Sequence, residues 1–300
     1  FLRNAFGRYL SPVMVEKITQ NPDQLKLTGD NKIITVMFCD IRNFTKISED
    51  FQSRPKELTS LINSILDPLT KIILKQNGTI DKYMGDCIMA FWNAPLKNEK
   101  HCEDALVCSL EMIECVEKLN LDFKSKFGIE GIGIGIGINT GLATVGNMGS
   151  NIRLDYSIIG DCVNLGARLE GHSKELGVPI VIGENVLNND YFKINSKEFL
   201  GEFQIFELDN IALKGKKEAT KCYTLIPHSS KLKKSETEIH YKFLDQYYEG
   251  RFKEAIVTLT HLIGLNNYLV NYYNLMKDRC LSLDKERIEH RYGITGSNKK

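Results

Sequence analysis

Nowhere is the sequence apolar for the roughly eighteen consecutive residues that a membrane-spanning helix needs. No basic leader with a short apolar core opens it either. Net charge is nearly absent: 39 basic against 38 acidic residues leave +1. That balance speaks against a dominant nucleic-acid or membrane-surface patch. The eight cysteines make no CxxC pair. Cys102, Cys108 and Cys115 fall in a helical pattern, where they are expected as small apolar fillers. A reducing, cytoplasmic setting fits such usage. The first residue is Phe1 rather than Met, so a fragment is expected, and the full-length chain could carry an upstream sensor or a membrane anchor. What remains is ordinary for a globular chain: 42% hydrophobic and 26% charged over 300 residues, enough for one large or two modest domains.

The most informative stretch runs from Val36 to Thr45. An apolar run, Ile33 to Cys39, ends in Asp40, and a short turn then leads into a helix. A carboxylate at a strand end can hold a hard cation. The unpaired N–H groups of a helix start can hold phosphate oxygens. Residues 1–20 read as two short helices around Ser11-Pro12, with a turn at Asn21-Pro22-Asp23. A helix is expected over 56–76 and strands over 79–83 and 87–92, with Asp86 at the hairpin tip. A long helix follows from His101 to Lys126. Residues 129–138 alternate isoleucine and glycine, which imitates a nucleotide loop. A strand with one face pressed against another element explains the strict alternation better. Residues 139–149 read as turn and loop. A helix from Asp161 carries Asn164 and Arg168, four apart and so on one face.

Short strands are expected over 155–159, 178–182, 203–208 and 222–226, with a basic turn at Leu213-Lys214-Gly215-Lys216. The order describes an α+β fold of ferredoxin-like βαββαβ plan, helices packed on one face of a mainly antiparallel sheet. Residues 229–237 read as a polar linker. Beyond them lie three helical stripes: Tyr241, Leu244 and Tyr248; then Phe252, Ala255, Leu259 and Leu262; then Leu269, Tyr272, Tyr273 and Met276. This is a small TPR-like tail, too short to stand alone. It should pack on the main domain, on a second copy, or stay loose, with 284–300 frayed. The expected division is 1–28, an N-terminal helical linker; 29–228, the catalytic domain; and 229–300, linker and tail.

Two carboxylates at strand ends, a lysine just before the second, an Asn/Arg pair and a Lys-Gly-Lys turn fit phosphoryl transfer. Two acids can bridge divalent ions that activate a hydroxyl and steady a leaving pyrophosphate. Arginine matches the spreading charge of such a transition state better than lysine.

With these residues in order, the chain resembles the catalytic domain of a class III nucleotidyl cyclase. The matching pieces are Phe38-Cys39-Asp40-Ile41-Arg42-Asn43-Phe44-Thr45, Lys82-Tyr83-Met84-Gly85-Asp86, Ile136-Gly137-Ile138-Asn139-Thr140-Gly141, the run from Asp155 to Glu170, and Leu213-Lys214-Gly215-Lys216. They cover about residues 30–226, and residues 5–12 resemble the segment preceding such domains. The resemblance implies two divalent cations, Mg2+ or Mn2+, on Asp40, Asp86 and the Ile41 carbonyl. It implies that Phe44 and Thr45 offer backbone N–H groups to phosphates. Lys82 would meet adenine N1, and Ser157 would accept from the N6 amino group. Asn164 would orient the ribose, Arg168 would stabilise the α-phosphate, Lys214 would hold the terminal phosphates, and Arg153 is a further phosphate candidate. The implied reaction is ATP to 3′,5′-cyclic AMP and pyrophosphate, an intracellular signal, at a site shared by a homodimer. Asp40 and Asp86 would come from one chain; Lys82, Ser157, Asn164 and Arg168 from the other.

Four positions depart from the family pattern. Asn43 replaces a usual glycine, though asparagine tolerates positive φ. Gly166 stands for alanine, and Leu154 for an aromatic or Met. Ser157 lacks a threonine methyl, which could loosen base choice. The alternatives are a guanylate or mixed cyclase, and a non-catalytic regulator: a cyclase-like module that binds ATP, or a dimer whose helical tail recruits a protein partner. A catalytic core ending at 228 is expected to keep its activity without the tail.

Overall fold

The computed structural model describes residues 29–150, 152, 154–188, 192, 203–212, 219–265, 268–286 and 294–296. The helices expected over 1–20 lie outside them, as do Arg153 and Lys214. Nine strands among the described residues form one sheet in the order β2-β3-β1-β4-β6-β8-β7-β9, with β5 also paired to β4. They are β1 (Gly29–Ile41), β2 (Thr79–Met84), β3 (Cys87–Trp92), β4 (Ile134–Gly149), β5 (Leu154–Ile159), β6 (Ile180–Gly183), β7 (Phe203–Ala212), β8 (Thr220–Pro227) and β9 (Ile294–Gly296). Only β4 with β6 and β7 with β9 run parallel. The helices are α1 (Phe44–Asp50), α2 (Pro55–Lys75), α3 (His101–Phe127), α4 (Asp161–Glu175), α5 (Glu184–Leu187), α6 (Lys234–Tyr248), α7 (Phe252–Gly264) and α8 (Val270–Glu286). The expected α+β architecture with a mainly antiparallel sheet is what the chain adopts.

Helices cover both faces of the sheet, not one. Met37, Cys39 and Ile41 of β1 point into a core with Leu61, Ile65, Leu69 and Ile73 of α2 and Leu106, Met112 and Val116 of α3. The alternate residues Ile34, Val36 and Phe38 pack with Cys162 and Val163 of α4. From Ile34 to Cys39 the strand is buried on both sides, so it reads as a near-continuous apolar run without alternation; its one polar residue, Thr35, is buried with its hydroxyl 2.7 Å from both His101 Nδ1 and Thr140 Oγ1. The segment 139–149 is strand, not loop. Its turn-forming residues are held extended because they belong to β4, which pairs with β1 along thirteen positions, Gly29 with Gly146 through Ile41 with Ile134, and then with β5 through Gly149.

The glycine alternation is a close approach, as its regularity predicts. A Cβ on Gly137 would run into the backbone of Glu170 and Gly166. One on Gly135 would lie 2.6 Å from the Arg42 guanidinium carbon. At Gly137 α4 therefore lies almost on the backbone of β4 with no room for a side chain, whereas at Gly135 the neighbours are the ends of the Arg42 and Glu170 side chains.

The tail docks on the main domain. A second core joins Leu165 and Leu169 of α4, Leu176 just after it, and Val181, Phe206, Leu208, Cys222 and Ile226 of the sheet to Phe243, Leu259, Leu262, Tyr272 and Met276. The second and third stripes are buried as spaced. The first is displaced in part: Leu244 is buried as spaced, but Tyr241 is 41% exposed, and His240, Phe243 and Tyr247 are buried beside Leu244. Residues 229–237 are no loose linker, since Leu232 is buried and Gln204 brackets its backbone with bonds of 2.8 and 3.2 Å.

Candidate active site

Asp40 follows Cys39, which pairs with Ile88 of β3, so it lies beside the hairpin tip that carries Asp86. The two carboxyls lie close enough for the charge on Asp40 to act on Asp86. Asp86 is pushed up to about 6, first by burial and then by the Asp40 charge, while its own and the Ile41 backbone N–H pull the other way. Two acids thus crowd a half-buried position, where the Asp40 charge resists the ionisation of Asp86. Among the described residues no three His, Cys, Asp or Glu side chains are arranged to hold a metal ion. A cation here would need a further oxygen donor, the role expected of the Ile41 carbonyl. Hard oxygen donors with surplus negative charge are what Mg2+ or Mn2+ take.

The next turn leaves the strand through Asn43, at φ 58 and ψ 25. That is the left-handed region in which asparagine substitutes tolerably for glycine. Phe44 and Thr45 then open α1, whose first N–H groups have no partner inside the helix. Phe44 is half-buried against the main core, and Thr45 is exposed.

Two side chains near the acids are missed by sequence reasoning. Arg42 reaches across to α4, donating to Ser173 Oγ and lying 3.9 Å from Glu170. Glu170 is raised to about 7, by burial first and the Asp40 charge second, with Arg42 only partly offsetting this. Burial also lowers Arg42. At 3.9 Å the pair is long, and desolvation outweighs it for both partners.

Lys82 and Ser157, far apart in sequence, are brought together. Lys82 Nζ donates to Ser157 Oγ at 3.5 Å. Ser157 is buried at 6% exposure. Asn164 and Arg168 both lie on the exposed face of α4, opposite the buried Leu165 and Leu169.

The raised acids make stability depend on pH. Asp86 binds its proton more tightly folded than unfolded, so its contribution is full below its ordinary 3.8 and is lost as pH rises through about 6. His240, buried and lowered to about 4, pulls the other way, so the comparison is with Asp86→Asn. The variant is expected to gain on the wild type in unfolding midpoint between about pH 5 and about pH 7.5 in chelator. Added Mn2+ should raise the wild-type midpoint more at the higher pH and leave the variant unmoved. Thermal denaturation read by circular dichroism checks both.

A family model described as the adenylate and guanylate cyclase catalytic domain matches residues 28–227. The chain is 36% identical over 148 residues to adenylate cyclase 1 of Rhizobium meliloti (strain 1021), which covers 49% of this chain and 22% of that protein. It is 32% identical over 228 residues to the adenylate cyclase of Anabaena cylindrica, 74% of this chain and 41% of that protein. It therefore spans less than half the length of these curated relatives. The crystal structure of the adenylyl cyclase CyaB from P. aeruginosa superposes with a TM-score of 0.60 at 33% identity, over 69% of this chain and all of that one.

Proposed function

The chain belongs to the family of adenylate and guanylate cyclase catalytic domains, and from that premise we propose that it converts ATP to 3′,5′-cyclic AMP and pyrophosphate. The observation that carries this reading is the meeting of Lys82 and Ser157 at 3.5 Å. Only a folded chain brings these residues together, and together they complement adenine: an ammonium for N1 and a hydroxyl oxygen for the N6 amino group.

Asp40, Asp86 and the Ile41 carbonyl would hold two divalent cations, Mg2+ or Mn2+, which when bound lower the pKa of the ribose 3′-hydroxyl and neutralise the pyrophosphate. Asn164 orients the ribose so that this hydroxyl faces the α-phosphorus. Arg168 spreads its charge over the α-phosphate as the bond to pyrophosphate breaks. The N–H groups of Phe44 and Thr45 hold the β- and γ-phosphates, with Lys214 and Arg153 on the terminal oxygens.

The active unit is a homodimer with two equivalent sites. One chain supplies Asp40 and Asp86; its partner supplies Lys82, Ser157, Asn164 and Arg168. An uncovered apolar strip supports this. Ile33 pairs with Leu142, and Thr144 with Ile159, on one side of the sheet extension. Their exposures are 43% for Ile33, 59% for Leu142 and 64% for Ile159. A contiguous strip of this kind marks an interaction surface. The TPR-like tail, docked on the sheet, is proposed as part of the catalytic unit. Signalling through cyclic AMP places the reaction in the cytoplasm.

The test is turnover of ATP and GTP by the purified chain, each with Mg2+ or Mn2+. Cyclic AMP should form, with GTP used at least about tenfold less efficiently. Faster GTP turnover would make this a guanylate cyclase. Nucleotide binding without cyclic product would make it a regulator.

A further inference from the structure

The purine-reading pair sits on a third residue. β2 changes register between Ile80, which pairs with Ala90, and Lys82, which pairs with Met89. Asp81 is the extra residue of a bulge. In a regular strand Asp81 and Lys82 would point to opposite faces. The bulge re-aims them to one side, and both reach Ser157 on β5. The Asp81 side chain has no solvent exposure. Its Oδ2 accepts from Ser157 Oγ at 2.7 Å. Its Oδ1 lies 3.1 Å from Lys82 Nζ, an ion pair without hydrogen-bond alignment.

A serine hydroxyl has one hydrogen and two lone pairs. Here the hydrogen is committed to Asp81, so Ser157 faces outward only as an acceptor. Lys82, 45% exposed, has three hydrogens, enough to keep one outward while facing Asp81 and Ser157. The cluster presents a donor and an acceptor in fixed order. Adenine offers N1 as acceptor and N6 as donor in the matching order. Guanine offers the reverse, N1–H as donor and O6 as acceptor. A free serine could turn its hydrogen toward O6; one held by Asp81 cannot.

We propose that Asp81 is a positioning residue that sets the choice of adenine over guanine by fixing the hydroxyl hydrogen of Ser157. The proposal rests on the reading of Lys82 and Ser157 as the base-contacting pair. It is tested by measuring kcat/KM for ATP and for GTP in the full chain carrying Asp81→Asn. The amide can donate to Ser157 and release the hydroxyl hydrogen outward. The ATP-to-GTP ratio is expected to fall by about tenfold or more, with GTP efficiency held or raised. Equal losses for both substrates, leaving the ratio unchanged, would overturn the proposal. Should Asp81→Asn fail to fold, Asp81→Glu keeps the charge beside Lys82 while displacing the acceptor from Ser157. It should lower the ratio in the same direction, and an unchanged ratio would again overturn the proposal. Ser157→Ala separates the two levels. If it leaves the wild-type ratio intact, the base-pair reading itself fails. If it lowers the ratio while the Asp81 variants do not, only the role of Asp81 fails.

Discussion

Asp40→Ala should lower cyclase turnover by roughly a thousand-fold or more, about 4 kcal/mol of transition-state stabilisation, and leave the chain at least as stable as the wild type. The two effects have one cause. Asp40 and Asp86 share a crowded, half-buried position, and the charge of the first helps push the second up to about 6. Removing Asp40 deletes a ligand that no nearby free carboxylate replaces, because Glu170 is turned to Arg42 and α4. It also removes a like-charge repulsion, so Asp86 ionises more easily in the folded chain. A side chain kept only for stability would show the opposite pairing, with a lower unfolding midpoint and little change in turnover. The check is a cyclic AMP assay beside thermal unfolding in chelator. Retained activity, or a clear loss of stability, would count against the acid pair as the catalytic centre.

Removing residues 229–300 should abolish folding rather than free an autonomous core. The tail covers Val181, Phe206, Leu208, Cys222 and Ile226, each at most 2% exposed. Uncovering five such side chains, at roughly 1.5–3 kcal/mol each, forfeits on the order of the whole stability of a typical domain. Polar partners are lost as well. Arg279 pairs at 2.6 Å with Asp209, whose side chain is 1% exposed, and an uncompensated buried carboxylate is strongly destabilising. Tyr272 donates to the Leu208 carbonyl at 2.5 Å, and His240 Nε2 sits 2.8 Å from the Glu207 carbonyl. The truncated chain is expected in the insoluble fraction, or without a cooperative transition. A soluble truncated chain with a near-wild-type midpoint would show that the tail is an independent module.

Hydrophobic spacing shows that a helix has an apolar face but not what covers it, so the core shared by the tail and the sheet is not legible in the sequence. The same gap displaced the first tail stripe. Tyr241, Leu244 and Tyr248 have helical spacing, yet the docked face includes His240, a polar residue that sequence places outside. Its burial becomes tolerable only where Tyr273 and the Glu207 carbonyl meet both ring nitrogens. Turn chemistry misled at 139–149, where long-range pairing with β1 overrides Asn, Thr and Gly. Asp40 and Asp86 were legible because each ends or joins strands that their own apolar runs announce. Lys82 with Ser157 was legible only through family resemblance, since nothing local links two residues so far apart. Asp81 gave no signal at all. Alternation would point it away from Lys82, and a bulge is not readable from a strand of this length.

The central claim is that each active site takes its acids from one chain and its arginine from the other. Mixing Asp40→Ala chains with Arg168→Ala chains tests it most directly. Each variant alone should be folded, dimeric and nearly inactive. After subunit exchange, half the dimers are mixed, and each mixed dimer has one intact site and one doubly broken site. Activity should return to about a quarter of the wild-type value at equal total chain concentration, as twofold symmetry requires. If exchange is demonstrated and activity stays at the level of the separate variants, the acids and the arginine do not meet across a dimer.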